Sequence, residues 1–324
     1  GAAVPLAWPV VDGAPERVRA GLEPVLRRAR LNLLVTTPEM REVDWGVPLV
    51  SEPGAPLDAA RPVEDGGTAF IQFTSGSTGD PRGAVISQRA ALHSARAMAE
   101  ALRLSPRDVG VSWLPFFHDM GLVGVLLTSL VARFPVHVLR PGDFLMRPRR
   151  WLELVSATRA TLTVGPDFAY ALATRRVDAA GLDLSSLRCV LSGSEPVHRA
   201  TLDGFTAKFA PAGFDARAWL PVYGLAEATL GVCFSRRGFP VSDLVVDGRE
   251  VPSVGAALAG VEVKVVDRAG AEVPQGQQGE LCVRGPVLMD CYFEHPEATR
   301  AALRDGWLHT GDLGVTREGA VWVT

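Results

Sequence analysis

Between residues 69 and 225 the chain alternates short runs rich in Val, Ile, Leu and Phe with longer stretches in which apolar positions return every three or four residues. That alternation of strand and helix periods is the pattern of an α/β unit with a largely parallel sheet. Residues 69–73 read as a strand, followed by a Gly/Ser-rich loop and a helix whose apolar stripe is Leu92, Ala95, Ala99 and Leu102. Further strands are expected at 109–114, 136–139, 162–164 and 189–191, with helices around Trp151 and Phe205 between them. After Leu244 the pattern changes. Residues 261–266, 280–283 and 320–323 are short strands separated by Gly, Pro, Asp and Gln turns, which predicts a smaller β-rich subdomain. The proline-containing stretch 48–62 reads as a surface connection, and no internal repeat or low-complexity tract is present.

A length of 324 residues exceeds one minimal domain and predicts two or three packed units. With 47% hydrophobic and 21% charged residues the chain has the composition of a soluble globular protein, not a disordered one. The net charge is −3 and the basic residues are scattered, so nothing marks a nucleic acid or an anionic membrane as partner. Four cysteines, Cys189, Cys233, Cys282 and Cys291, show neither CxxC spacing nor a His-rich neighbourhood. This argues against a zinc site and a disulfide framework and fits a reducing cytoplasm. The uncharged apolar run 120–132 is too short to span a bilayer, and no charged n-region precedes an apolar stretch. The chain opens on Gly1 and not Met, which reads as a processed or trimmed start.

Five segments could carry chemistry. The first, Thr74, Ser75, Gly76, Ser77, Thr78, Gly79, Asp80, Pro81, Arg82 and Gly83, follows an expected strand. Small residues let backbone N–H and hydroxyl groups converge on phosphate oxygens, although the run matches neither GxxxxGKS/T nor GxGxxG and a plain turn loop is the alternative. The second runs from Trp113 through His118 and Asp119 into an apolar helix. There His118 is either a catalytic group or a packed core histidine, and Asp119 a helix cap. The third, Gly193, Ser194 and Glu195, and the fourth, Tyr223, Gly224, Leu225, Ala226 and Glu227, sit at strand ends where α/β folds bind ligands. Tyr223 offers a flat face for a base and Glu227 a hard oxygen suited to magnesium; a buried Tyr and a solvent-facing Glu are the structural alternatives. In the fifth, Asp312 lies in a Gly-flanked turn where it could accept bonds from ribose hydroxyls or simply satisfy its own backbone.

In this order the five segments resemble the signature set of the acyl-adenylate-forming superfamily of acyl-CoA synthetases, luciferases and peptide-synthetase adenylation domains. Within it, SWLPFFHDMGLVG, FLMRPRRWL from Phe144, GPDFAYAL from Gly165, LDLSSLR from Leu182 and YGLAEATL from Tyr223 are similar to the fatty acyl-AMP ligases. The resemblance implies a layered α/β adenylation fold with parallel-rich sheets and helices over 1–240, entered partway. A smaller, distorted-barrel β subdomain would follow over 241–324. It also implies ATP and magnesium as cofactors. The 74–83 loop would wrap the phosphates, Gly193 to Glu195 and Tyr223 to Ala226 would enclose adenine, and Asp312 would hold the ribose. Glu227 with Thr78 would bind magnesium, and His118 with Gly165 and Pro166 would line the acyl entry; His118 and Glu227 are the implied catalytic pair.

Four departures accompany the resemblance. Arg82 stands where the family usually has Lys, a planar fork in place of a point charge. The chain stops at Thr324, about where a hinge to a lysine-bearing C-terminal domain is expected, so this chain alone is expected to adenylate poorly. Only a short stretch separates Glu227 from Val254, where fatty acyl-AMP ligases carry an extra segment, and Cys291 replaces a usual Gly before Tyr292. The implied activity is ATP-dependent formation of a fatty acyl-AMP. The acceptor thiol would be on an acyl carrier protein or polyketide synthase carrier domain, with coenzyme A as the alternative. A non-catalytic nucleotide- or acyl-AMP-binding protein is the rival from another class.

Overall fold

The computed structural model describes residues 3–6, 15–29, 34–35, 45, 48–50, 67–74 and 81–324. The expected strands appear as Thr68–Thr74, Gly110–Ser112, Val136–Val138, Leu162–Gly165 and Cys189–Ser192. The last four join Trp219–Gly224 in a parallel array, extended by the antiparallel strands Gly231–Phe234 and Ala256–Ala257 into a seven-stranded sheet. Its central parallel strands are buried or half-buried, as a sheet covered by helices requires, while the edge strand Val136–Val138 is more exposed.

Packing against this sheet is dominated by aromatic rings. Trp151, Tyr170, Phe205 and Trp219 form a chain with ring centroids 4.8–5.5 Å apart. The Trp151 indole N–H donates to Thr163 Oγ1 and the Tyr170 hydroxyl to the Leu191 carbonyl, so both buried polar tips are satisfied.

Helix Gln88–Ala101 starts where strand Arg82–Ser87 ends, because Ser87 caps it by accepting from the Ala90 N–H at 3.2 Å. Its buried face matches the expected stripe in part: Ala95 and Leu102 are buried and Ala99 half-buried, whereas Leu92 is 42% exposed. Ala90, Ala91, Ser94, Ala97 and Met98 complete the inward face, and small side chains there let the helix approach its neighbours closely.

The apolar run after His118 is a helix, as expected, but in π form over Met120–Leu127 before continuing as the α-helix Thr128–Ala132. Thr128 N–H reaches back to the Val123 carbonyl, and its hydroxyl donates to the same oxygen at 2.8 Å. Such widened turns cluster at functional sites.

A second, three-stranded sheet pairs Arg82–Ser87 with Thr68–Thr74 on one side and Cys291–Tyr292 on the other. The β-rich region is a curled antiparallel half-barrel of Glu262–Val266, Gly279–Arg284, Trp307–Arg317, Leu303–Arg304 and Ala320–Val323. The eleven-residue strand Trp307–Arg317 escaped the sequence pattern because its two glycines and alternating exposure hide it. Between Phe234 and Val254 lies the hairpin Asp243–Val246 with Arg249–Pro252.

Candidate active site

The seven-stranded sheet ends its parallel strands on one edge, and there the structure gathers the sequence-predicted groups. Gly193, Ser194 and Glu195 follow the strand Cys189–Ser192, and Tyr223 and Gly224 end the neighbouring strand. Gly193 is obligatory, since a Cβ there would lie 2.8 Å from the Val222 carbonyl. Ser194 adopts φ +69° and stands exposed, turning the backbone outward. Glu195 accepts from the Phe168 N–H at 2.6 Å, which joins this turn to the segment after Gly165 and Pro166. Pro166 caps the helix Asp167–Arg176, and Gly165 lies against the Trp113 ring.

Tyr223 is buried and its hydroxyl donates to Asp312 Oδ2 at 2.6 Å. Burial first, then the Asp312 charge, pushes this phenol far above its ordinary range, so it stays a donor. Asp312 lies not in the expected turn but inside the strand Trp307–Arg317, at a register shift beside Gly311 with φ +78°. Its N–H donates to Thr310 Oγ1, and Thr310 donates to the Leu281 carbonyl, so its carboxylate is turned to Tyr223 and not to its own backbone.

After Tyr223 the chain makes an unusual corner. Gly224 admits no side chain, because a Cβ would sit 1.9 Å from the Leu230 carbonyl oxygen. Thr229 has φ +63° and ψ −50°, and Leu230 N–H donates to the Ala228 carbonyl at 2.6 Å, the geometry of a γ-turn that a β-branched residue enters at a cost. The Thr229 hydroxyl donates to the Val287 carbonyl at 2.6 Å, and Met289 N–H to the Glu227 carbonyl at 2.7 Å. These bonds hold Glu227 in one position.

The Glu227 carboxylate accepts from the Tyr292 hydroxyl at 2.7 Å through Oε1. Burial foremost, with the Glu227 charge second, pushes the Tyr292 phenol well up. The Arg82 guanidinium lies 5.6 Å from the Tyr292 ring centroid. Tyr292 was not singled out by sequence reasoning, since it lies 65 residues from Glu227 and no local pattern joins them. Among the described residues Oε2 of Glu227 accepts no hydrogen bond, so one hard oxygen beside Arg82 fits a magnesium–phosphate group. Thr74 and Arg82 are paired across the hairpin whose loop carries Ser75, Gly76, Ser77, Thr78 and Gly79; those five lie outside the described residues.

His118 is not a core histidine. Its side chain is 47% exposed and its Nδ1 lies 2.7 Å from Asp119 Oδ1. The hydrogen bond to Asp119 raises its pKa, against burial, which lowers it. Asp119 also accepts from the Met120 N–H at 2.7 Å and so opens the π-helix, as expected of a cap. Gln72, another group the sequence did not signal, donates to the Phe117 carbonyl at 2.7 Å and ties the His118 loop to strand Thr68–Thr74.

Beneath these residues lies a partly open, largely apolar cavity. Ser194, Tyr223 and Gly224 line it at the nucleotide edge; Gly110, Val136 and Leu162, the first residues of their strands, line it at the other. Met120, Gly124, Val125 and Thr128 of the widened helix form one wall. The hydroxyls of Thr128 and Thr163 donate to protein carbonyls, and Ser112 Oγ accepts from the Leu114 N–H. The deep walls offer hydrocarbon contact, which suits an unbranched apolar chain.

Comparison with known proteins agrees with this geometry. The profile of the AMP-binding enzyme family matches residues 15–293. A medium-chain-fatty-acid–acyl-carrier-protein ligase of Teredinibacter turnerae is 37% identical over 79% of this chain and 46% of its own length. A 4-hydroxyphenylalkanoate adenylyltransferase of Mycobacterium marinum is 34% identical over 99% of this chain and 60% of its own. The chain thus spans about half to three fifths of these curated relatives. Among solved structures, a chain from work on fatty acyl-adenylate ligases of E. coli and L. pneumophila superposes with TM-score 0.89 at 35% identity, covering 100% of this chain and 64% of that one. The L. pneumophila ligase in complex with acyl adenylate and pyrophosphate gives 0.88 at 26% identity, covering 97% and 66%. The family profile covers most of the chain and the fold matches solved adenylate-forming ligases, so the chain belongs to the AMP-binding enzyme family.

Proposed function

We propose that this protein activates a medium-chain fatty acid as its acyl-AMP and passes the acyl group to the thiol of a carrier protein. The observation that carries this reading is the shared wall: Ser194, Tyr223 and Gly224 border both the nucleotide edge and the apolar cavity, so an acyl chain and an adenosine meet there. A four-residue strand such as Leu162–Gly165 runs about 10 Å, a depth that suits a chain of medium length.

The fatty carboxylate oxygen attacks the α-phosphorus of ATP, and the bond to the bridging oxygen breaks to release pyrophosphate. Magnesium, when bound, supplies neutralisation of the phosphate charge. Glu227 Oε2 is the oxygen that would hold it, while Tyr292 fixes the carboxylate through Oε1. Arg82 faces the same region and would clamp the leaving phosphates. Asp312, aimed by Tyr223 and Thr310, accepts the ribose hydroxyls. His118, held by Asp119, would steer the carboxylate at the entry beside Gly165 and Pro166. The chain's residues act by positioning and charge placement, and no covalent enzyme intermediate is needed.

Transfer to a carrier thiol is supported by the carrier-protein ligases among the relatives. Coenzyme A is the second reading, favoured by the compact hairpin that alone occupies the stretch after Phe234. Exchange of pyrophosphate into ATP by the natural full-length protein, with a panel of straight-chain acids, tests the activation: exchange is expected with medium-chain acids, and none with any acid contradicts it. Offering a carrier protein and coenzyme A side by side then assigns the acceptor.

A further inference from the structure

The cysteine spacing in the sequence argues against a zinc site, yet the half-barrel brings together three donors that lie far apart in the chain. Cys282 and His309 are direct cross-strand partners between Gly279–Arg284 and Trp307–Arg317. Their side chains therefore share one face, and Glu280, two residues before Cys282, joins them there. A register shift between Glu280 and Cys282 accompanies this approach. His309 Nδ1 lies 3.5 Å from Cys282 Sγ and 3.1 Å from Glu280 Oε2, and one donor atom from each residue falls within 4.8 Å of the others. Cys282 is buried, while the His309 and Glu280 side chains are 15% and 31% exposed.

These separations can be compared with those a metal imposes. Tetrahedral zinc at about 2.3 Å from sulfur and about 2.0–2.1 Å from nitrogen and oxygen sets S···N near about 3.6 Å and N···O near about 3.4 Å. Both observed edges fall within a few tenths of an ångström of these values. The thiol and imidazole select a borderline-soft ion over magnesium, which separates this cluster from the hard oxygen of Glu227. Lys264, the other cross-strand partner of Cys282, places its ammonium over the Trp307 ring, 4.3 Å from the centroid, and takes no part in the donor set.

We propose that Glu280, Cys282 and His309 form a binding site for a thiophilic divalent cation, with Zn²⁺ the best match, and with a solvent molecule completing the coordination. Binding displaces the proton on the Cys282 sulfur, and the imidazole binds through the Nδ1 lone pair of its neutral form. The site is coupled to the nucleotide edge, because Glu280 Oε1 also accepts from the Gly311 N–H at 3.0 Å, one residue before Asp312.

Titration of the whole protein with Co²⁺, read by absorption, tests the site. A thiolate-to-cobalt charge-transfer band with four-coordinate visible bands is expected; Zn²⁺ should abolish it and a large excess of Mg²⁺ should not. Cys282→Ser should remove the charge-transfer band, and Glu280→Gln and His309→Gln should each weaken binding at least about tenfold. Cys291→Ser, a change at the half-buried cysteine elsewhere, should leave the band intact. If Cys282→Ser does not fold, the Glu280→Gln and His309→Gln titrations decide alone. Absence of the band in the unaltered protein, its loss in Cys291→Ser, or undiminished binding in both Glu280→Gln and His309→Gln overturns the proposal.

Discussion

The Tyr223 hydroxyl donates to Asp312 at 2.6 Å, a bond that ties the end of the central sheet to the long strand of the half-barrel 89 residues later. One residue is expected against the base and the other against the ribose, so a single contact sets the spacing of the two halves of a nucleoside site.

Asp312→Ala should weaken binding of a non-hydrolysable acyl-adenylate by at least about tenfold, the lower value for loss of hydrogen bonds to a charged acceptor. Tyr223→Phe keeps the ring and removes only the aiming bond, so its loss should be smaller. Titration calorimetry on both variants checks the order; a larger loss for Tyr223→Phe would show that the phenol itself contacts the ligand.

Phe134 lines the cavity beside Gly110, the first residue of its strand, at the end opposite the nucleotide edge. Phe134→Ala should shift the preferred acid toward longer chains in pyrophosphate exchange, while lowering stability by about 3 kcal/mol. An unchanged chain-length profile would place the end of the acyl path elsewhere.

Asp108 is 3% exposed and accepts from Arg188 and Thr161 side chains and from Ser105. Burial acts to raise its pKa, but these hydrogen bonds outweigh it and the net shift is downward. The stability it contributes is therefore present above the ordinary carboxylate range and is lost as pH falls through its lowered folded value. Asp108→Ala leaves the Arg188 guanidinium without its partner and should cost about 3 kcal/mol in urea unfolding at neutral pH, with the difference shrinking toward strong acid.

His118 has the opposite sign. Its hydrogen bond to Asp119 raises its pKa, so the stabilisation is complete below about pH 6.5 and fades as pH rises through the raised folded value. His118→Gln should lower unfolding stability more at about pH 5.5 than at about pH 8.5. The reverse order would mean that the Asp119 contact does not govern this imidazole.

Much of the site was legible in the chain because strand-end motifs keep their chemistry close together in sequence. Gly193 to Glu195 and Tyr223 to Glu227 occupy the strand ends expected of them, whereas Asp312, expected in a turn, lies in a strand that the pattern did not reveal. What pattern reading missed depends on contacts between distant segments. Tyr292 meets Glu227 only because Cys291–Tyr292 adds a strand beside Arg82–Ser87. Cys282 meets His309 only through strand register. Helix Gln88–Ala101 shows a different limit: periodicity identified the helix, but small residues at Ala91, Ser94 and Ala95, not Leu92, decided which face is buried.

The central claim is that one continuous site holds an adenosine and a medium-length acyl chain. Calorimetric binding of acyl-sulfamoyl adenosines of increasing chain length tests it most directly. Six further methylenes buried at about 0.8 kcal/mol each predict a gain of about three-thousandfold over the acetyl analogue, followed by a plateau or fall once the cavity is filled. Equal affinity for every chain length, or no binding of any analogue, would contradict it.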